Sequence, residues 1–315
     1  MSKRMIDTLI QDGCPLVGGQ LQEAIRNAEV FIVDNVSDYY YQQGEQGILP
    51  SDFPNCAPPF PVFWMESRRP QCTFQKPFFS LGYAWGVLFS SIGLHDLSPD
   101  QRQQFLEGYF PTDRPGLQVV SPMSEARWAY HIMGFLHTSP HEPINPWRVH
   151  SFFLVQANGA FIQVRDANNG VEGPYAHFAS ILPNDSTPWE HTVPLVGNLL
   201  LPFWLAIAFL HCKNVTTAQV DPCHPQGKKK AAMPCKRVHY HTLDIHPMRE
   251  ILRREGKQES TGLKNALHIC RGHFRDYSHG RGLFGKYKGL YWFDQHLRGS
   301  STYGVVVKDY LIHPQ

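Results

Sequence analysis

Charge is scarce in this 315-residue chain, with Asp, Glu, Lys and Arg making up 18% of it. So few charges beside 42% hydrophobic and 13% aromatic residues exclude a disordered or coiled-coil protein, since both depend on dense charge. Cysteine is also sparse. Cys14, Cys56, Cys72, Cys212, Cys223, Cys235 and Cys270 form an odd count without tight spacing, which argues against a disulfide framework. The N-terminus lacks the apolar core of a signal peptide: Met-Ser-Lys-Arg runs into an amphipathic stretch with Asp7 and Asp12, so a reducing cytoplasm is the expected location. There is no internal repeat. The one long apolar run, Thr192 to Cys212, approaches the roughly 20 residues of a membrane span, yet it carries Asn198 and Pro202 and has no second span beside it. A buried central helix or helix pair is expected there, with no membrane contact.

The charges that are present divide unevenly. Residues 1 to 210 hold 11 Lys and Arg against 19 Asp and Glu, a net of −8, whereas residues 211 to 315 hold 18 against 8, a net of +10, together with ten of the 17 histidines. Such asymmetry points to a polyanionic partner for the basic end, nucleic acid foremost, or to docking of the two halves on each other. A solvated basic face is the plainer alternative.

The length suggests two structural units. Residues 18 to 34 read as a helix running into a strand, Pro58 to Arg68 ends in an extended apolar piece, and Phe78 to Ile92 fits one or two buried strands. Ser98-Pro99-Asp100 caps a helix to about Tyr109, and a second helix is expected over Ser124 to Leu136. Asn158-Gly159 between two apolar runs signals a hairpin. The fold class is therefore α+β: an acidic, mixed or antiparallel part over 1–220 with a buried apolar helix, a Pro- and Lys-rich linker over 221–237, and a basic β-α-β-β-β module over 238–315. In that module Val238 to Ile245 reads as a strand and Pro247 opens a helix ended by Gly256. Ala266 to Tyr277, Leu290 to His296 and Tyr303 to Ile312 are its further extended stretches.

The densest polar set runs from His268 to Arg281 and continues through Lys286, Lys288, His296, Arg298 and Lys308. Metal-free phosphodiester cleavage needs an acid and a base that exchange protons near neutral pH, plus fixed cations for the phosphate; His with Arg or Lys supplies both. If Ala266 to Tyr277 is one strand, Arg271 and His273 share a face about 7 Å apart. His296 and Arg298 repeat that i, i+2 pairing. These four are the candidate catalytic residues, His273 and His296 for proton transfer and Arg271 and Arg298 for the phosphate. Arg275, Tyr277, Arg281, Lys286 and Lys288 are candidates for nucleic-acid contact, because the Gly280 to Gly289 loop lets backbone N–H groups approach a phosphate and Phe284, Tyr287, Tyr291, Trp292 and Phe293 interleave with its cations. It is not a Walker loop. A structural role, with these cations pairing to Asp276, Asp294 and Asp309, is the alternative.

Cys223, His224, Cys235, His239 and His241 have a spacing that can wrap one zinc, but no Cys-x-x-Cys knuckle nucleates it, so no metal and no cofactor is expected. His131, His137, His141 and His150 are expected to be surface or core histidines, and no pattern assigns Glu66 or Arg68. A small helix followed by an antiparallel sheet resembles compact ribonucleases and the toxin endonucleases of toxin-antitoxin systems in element order alone, without their motifs. The segments APPFPVFWMESR (57–68), LPFWLAIAFLHCKNV (201–215) and ALHICRGHFRDY with LFGKYKGLYWFDQHLRG (266–299) resemble a family of uncharacterised phage and bacterial proteins. That resemblance spans most of the chain and implies one inherited unit in a bacterial or phage cytoplasmic setting; it transfers no catalytic residue. The expected function is nucleic-acid binding, RNA before DNA, with metal-independent ribonuclease chemistry. A non-catalytic interaction or inhibitor protein that binds a host protein or DNA is the rival, and the acidic part is a candidate surface for a protein partner.

Overall fold

The structure, a computed structural model, describes residues 4–11, 14–45, 53–68, 84–112, 116–137, 144–168, 170–181, 189–220, 239–256, 266–270, 272–298 and 300–305. Of these, 43–45, 145–149, 178–181, 189–199, 266–269, 296–298 and 300–305 are described by backbone only. The chain begins with α1 (Met5–Leu9), α2 (Gly19–Arg26), β1 (Glu29–Ile32), α3 (Asp34–Glu45), β2 (Val62–Arg68) and β3 (Ala84–Gly93). It continues with α4 (Pro99–Tyr109), β4 (Leu117–Val119), β5 (Ala126–His137), β6 (Asn145–Gln156), β7 (Gln163–Asp166), β8 (Glu172–Pro174) and β9 (Ala176–Ile181). Then follow α5 (Trp189–Leu210), β10 (Val215–Val220), β11 (Tyr240–Ile245), α6 (Met248–Arg254), β12 (Ala266–Cys270), β13 (His273–Asp276), β14 (Leu290–Phe293), β15 (His296–Arg298) and β16 (Ser300–Val305). The class is mixed α+β.

One large sheet organises the molecule, in the order β10-β11-β1-β2-β3-β5-β6-β9. β11, β1 and β2 are parallel and the remaining neighbours antiparallel. Alternation along the strands gives it two apolar faces. Phe31, Phe63, Met65, Val87, Phe89, Tyr130, Ile132, Phe153 and Val155 point to one side, where α5 covers them with Phe203, Trp204, Ile207 and Phe209. On the other side Val30, Ile32, Trp64 and Leu88 meet Met5, Ile6, Leu9 and Ile25 of α1 and α2, while Ala129 and Leu154 meet Phe110, Ile162 and Tyr175 further along. The apolar run read as a central helix is thus α5, a single helix buried from Leu200 to Phe209. Among the described residues no helix is long and apolar enough to cross a membrane.

Several local signals act as expected. Ser98 caps α4 by accepting from the Gln101 N–H at 3.3 Å, and the Gln101 side chain accepts from the Ser98 N–H at 3.1 Å. Asn158-Gly159 turns the chain, with Gly159 at φ +86° and Phe161 bridged back to Val155. Two expectations are corrected. Ser124 to Leu136 is not a helix: Ala126–His137 is a 12-residue strand inside the sheet, and because both of its faces are covered its apolar residues do not alternate. Ala266 to Tyr277 is not one strand, since β12 ends at Cys270 and β13 begins at His273 with a different partner.

The expected linker 221–237 lies outside the described residues. The strands that flank it, β10 and β11, are antiparallel neighbours from Val215↔Ile245 to Val220↔Tyr240, and β11 also pairs with β1. The basic stretch therefore enters the large sheet with its first strand. Past α6 its backbone forms β12 with β15 and β16, and β13 with β14.

Glu66, in β2, has no exposed surface, and its carboxylate accepts the Met5 and Ile6 N–H groups at 3.0 and 3.1 Å. Glu66→Gln should lower stability by about 2 kcal/mol, because the amide turns a donor toward a backbone donor; chemical denaturation reads the loss. His211 donates from Nε2 to the Ala57 carbonyl at 2.9 Å, and burial, outweighing that bond, pushes its pKa below the ordinary 6.5. A depressed folded value means that the unfolded chain takes up the proton first. The stabilisation is complete above about pH 6.5 and is lost as pH falls through the folded value. Melts at pH 7.5 and 5.5 should show this loss, and it should shrink in His211→Asn.

Candidate nucleic-acid interface

β13 and β14 pair His273↔Phe293, Phe274↔Trp292, Arg275↔Tyr291 and Asp276↔Leu290. With one side chain up and the next down, Phe274 and Trp292 face inward. There Phe274 lies 4.7 Å from Trp292, and Trp292 meets Phe209 of α5 at 5.1 Å and Tyr39 of α3 at 5.8 Å. Gly272 is required where the strands diverge, since a Cβ would sit 2.6 Å from both the Trp292 ring and Tyr39 Oη.

The outer side carries rings and cations grouped around Tyr291, which is itself buried. His273 stacks on Phe293 with centroids 5.5 Å apart and planes within 7°, and the Arg275 guanidinium lies 5.8 Å from the same ring. Arg275 also donates to Tyr277 Oη at 3.4 Å. Tyr277 stands 6.2 Å from Tyr291, which stands 5.9 Å from Tyr287, and Lys286 lies 4.9 Å over the Tyr287 ring. The intervening loop carries Gly280, Gly282, Gly285 and Gly289 at positive φ. Phe284 also has positive φ, +52°, with its side chain 45% exposed at the tip of the turn bridged by Leu283 and Tyr287. A bulky residue held in that region is a strained feature with an outward-facing ring.

The row is pinned from behind by a buried amide. Asn214 Nδ2 donates to the His246 and Trp292 carbonyls at 2.6 and 2.9 Å, and Asn214 Oδ1 accepts from the Trp292 N–H at 2.9 Å. Lys286 donates to Glu255 at 2.7 Å, tying the loop to the end of α6. Asp276 accepts from the Ser278 N–H, and its hydrogen bonds with Ser278 hold its pKa below the ordinary carboxylate value.

Of the sequence-derived candidates, Arg275, Tyr277, Arg281, Lys286 and Lys288 all lie on this hairpin or its loop, and His273 lies on its outer face, half-buried. Arg271 lies outside the described residues. His296 and Arg298 are in β15, whose backbone pairs with β12 as Cys270↔His296 and His268↔Arg298. His273 and His296 therefore belong to different ladders, and the one-strand spacing that joined Arg271 to His273 does not apply. Cys223, His224 and Cys235 are outside the described residues, and His241 faces Glu29 at 3.6 Å. Among the described residues no set of three or more metal-ligating side chains surrounds a common point. A separate cavity of about 870 Å³ beside α4, lined by Leu94, Leu97, Arg102, Leu106 and Phe110 among others, contains none of the candidates.

Sequence reasoning missed two polar arrangements. One is the buried Glu66. The other is His131, half-buried, with Nε2 3.1 Å from His150 Nδ1; burial first and His150 second push its pKa below the ordinary value. The signal for that pair was available only through strand register, once β5 and β6 were recognised as neighbours. No protein-family model, no curated protein and no solved structure matches the chain.

Asn214→Ala would remove the side-chain partner of three backbone groups, the two of Trp292 buried and that of His246 partly so, and should cost about 3 kcal/mol. Hydrogen exchange should then show the Trp292 amide opening faster than amides in β2 and β3.

Proposed function

We propose that the protein binds single-stranded nucleic acid, RNA before DNA, along the outer face of the β13–β14 hairpin and its glycine-rich loop, and that it does so in the cytoplasm of a bacterial or phage-infected cell. The observation that carries this reading is the placing of cations beside partly exposed rings, from His273 and Phe293 through Arg275 and Tyr277 to Tyr287 and Lys286, around the buried Tyr291. Bases stack on aromatic rings whatever their sequence, and guanidinium and ammonium groups follow the phosphates. The exposed Phe284 adds a ring at the loop tip.

Cleavage is the second part of the proposal. His273 and His296 exchange protons with the 2′-hydroxyl and the leaving 5′-oxygen, and Arg271 and Arg298 hold the phosphate. This chemistry needs the 2′-hydroxyl as its nucleophile and is the reason for placing RNA before DNA. The His273 position at one end of the row supports it.

Fluorescence anisotropy with labelled 12-nucleotide oligo-U and oligo-dT tests the binding. Tyr277→Ala should weaken it at least fivefold, given about 1–3 kcal/mol per stacked base. Lys286→Ala with Lys288→Ala should reduce the salt slope by about 1.4 for two lost phosphate contacts on a single strand. Absence of binding at 50 mM salt, or affinity unchanged in both variants, overturns the reading. RNA incubated with the parent and with His273→Ala separates binding from cleavage: a binder that leaves RNA intact keeps the first part and removes the second.

A further inference from the structure

On the sheet face opposite α5, the register sets His131 of β5, Phe152 of β6 and His177 of β9 in one row, with His150 two residues from Phe152 on the same side of β6. These four side chains are half-buried. The helices that cover this face elsewhere, α1 and α2 near β1 and β2 and α4 near its far end, leave the row between them. The His131 ring is stacked on Phe152 at 4.6 Å and lies within 22° of parallel to His150, with Nε2 of His131 3.1 Å from Nδ1 of His150. Tyr109, at the end of α4, closes on Phe152 at 4.4 Å and meets His177 edge-on at 6.2 Å.

Two imidazole nitrogens bound to one metal at about 2.0–2.1 Å stand roughly 2.8–3.0 Å apart along the edge of an octahedron and roughly 3.3–3.4 Å apart along that of a tetrahedron. The His131–His150 separation, 3.1 Å, lies between the two, within about 0.3 Å of either. We infer that His131 and His150 form a two-imidazole site for a borderline divalent transition metal, Cu²⁺, Ni²⁺ or Zn²⁺, opening on this face of the sheet. Without the ion, the pair shares one N–H···N hydrogen bond. On binding, the ring that donates that proton shifts it to its other nitrogen through solvent. Both rings then offer lone pairs to the ion, and no net proton is released. The stack on Phe152 holds the His131 ring in its plane, which limits the rotamer freedom lost on binding. No third protein ligand converges among the described residues, and the inferred site takes water or the donor atoms of a small ligand at its remaining coordination positions. Neutral imidazole sites bind in the order Cu²⁺ above Ni²⁺ and Zn²⁺ and disfavour Mg²⁺ and Ca²⁺.

The site is independent of the proposed nucleic-acid interface, which packs against the α5 side. Equilibrium dialysis of untagged full-length protein against Ni²⁺ should show one saturable equivalent that survives millimolar Mg²⁺. His131→Phe and His150→Phe should each weaken it at least about tenfold, while the distant His95→Ala leaves it unchanged. No saturable Ni²⁺ binding, or binding as tight in His131→Phe as in the parent, overturns the inference. Should the Phe variants fail to fold, sub-stoichiometric Ni²⁺ added to the parent decides the matter by NMR. The ring resonances of His131 and His150 must broaden first, and broadening that begins elsewhere overturns it.

Discussion

A carboxylate without access to water sits in the second strand of the sheet, and the amino-terminal part of the fold is arranged to satisfy it. An isolated buried charge is too costly to keep, so Glu66 draws partners around it. Met5 and Ile6 bring their N–H groups to it, which fixes α1 across β2, and Arg68 approaches to 4.0 Å from two residues along the same strand. Burial still pushes the Glu66 pKa above the ordinary value, against the hydrogen bonds and against Arg4 and Arg68. The network then extends: Arg4 pairs with Asp34 at 2.8 Å, Asp34 accepts the Arg68 N–H at 2.7 Å, and Ser67 donates to Ser37 at 2.6 Å. Asp34 is the first residue of α3, so one buried acid couples α1, β2 and the start of α3 into a single unit. Gly86 is part of the same arrangement, because a Cβ there would lie 2.2 Å from the Trp64 ring and 2.9 Å from Met5 Sδ.

Asn214 performs the corresponding task at the other end. Its amide joins the turn after α5, the residue after β11 and the middle of β14 through three hydrogen bonds, and the Lys213 N–H adds a fourth link to the Leu290 carbonyl at 2.8 Å. The β13–β14 hairpin, in the described part of the basic stretch, therefore shares its core with the acidic part. Its aromatic anchor, Trp292, belongs to the same core cluster as Phe63, Phe89 and Tyr130 of the acidic part. The cations lie at the margin of a shared core.

How much of this was legible follows from the kind of signal involved. Ser98 and Asn158-Gly159 act within a few residues, and each element formed where its local chemistry requires. The apolar length of α5 was sufficient to bury it. β5 was misread because Ala126, Ala129, Tyr130, Met133 and Leu136 fit helical spacing, while a strand covered on both faces has no alternation to contradict them. The break between β12 and β13 holds Gly272, whose close approach to Tyr39, more than 200 positions away, no local pattern announces. Glu66 and the His131–His150 pair were invisible for the same reason: each is defined by contacts between separate elements, α1 on β2 for the first and β5 beside β6 for the second. The cations of the interface were legible as a composition. Strand alternation also put His273 and Arg275 on one face; the rings they meet across the hairpin were not legible, since those depend on the β13–β14 register.

That register makes the two sides of the hairpin one device. Phe274 and Trp292 can occupy the core only if His273, Arg275 and Phe293 point the other way, so the packing that anchors the hairpin also selects which residues reach its outer face. The outer row carries little stabilising energy of its own, since ring–cation contacts at exposed positions contribute about 0.5–1 kcal/mol each. Its order comes from behind, through Asn214 and the Trp292 contacts. A surface held that way loses little conformational entropy when a ligand settles on it, and loops of this glycine content without such support would lose much more. The strained Phe284 fits this logic, because a bulky ring at φ +52° is maintained only where the surrounding turn is itself fixed, here by the Leu283–Tyr287 bridge and the Lys286 link to Glu255.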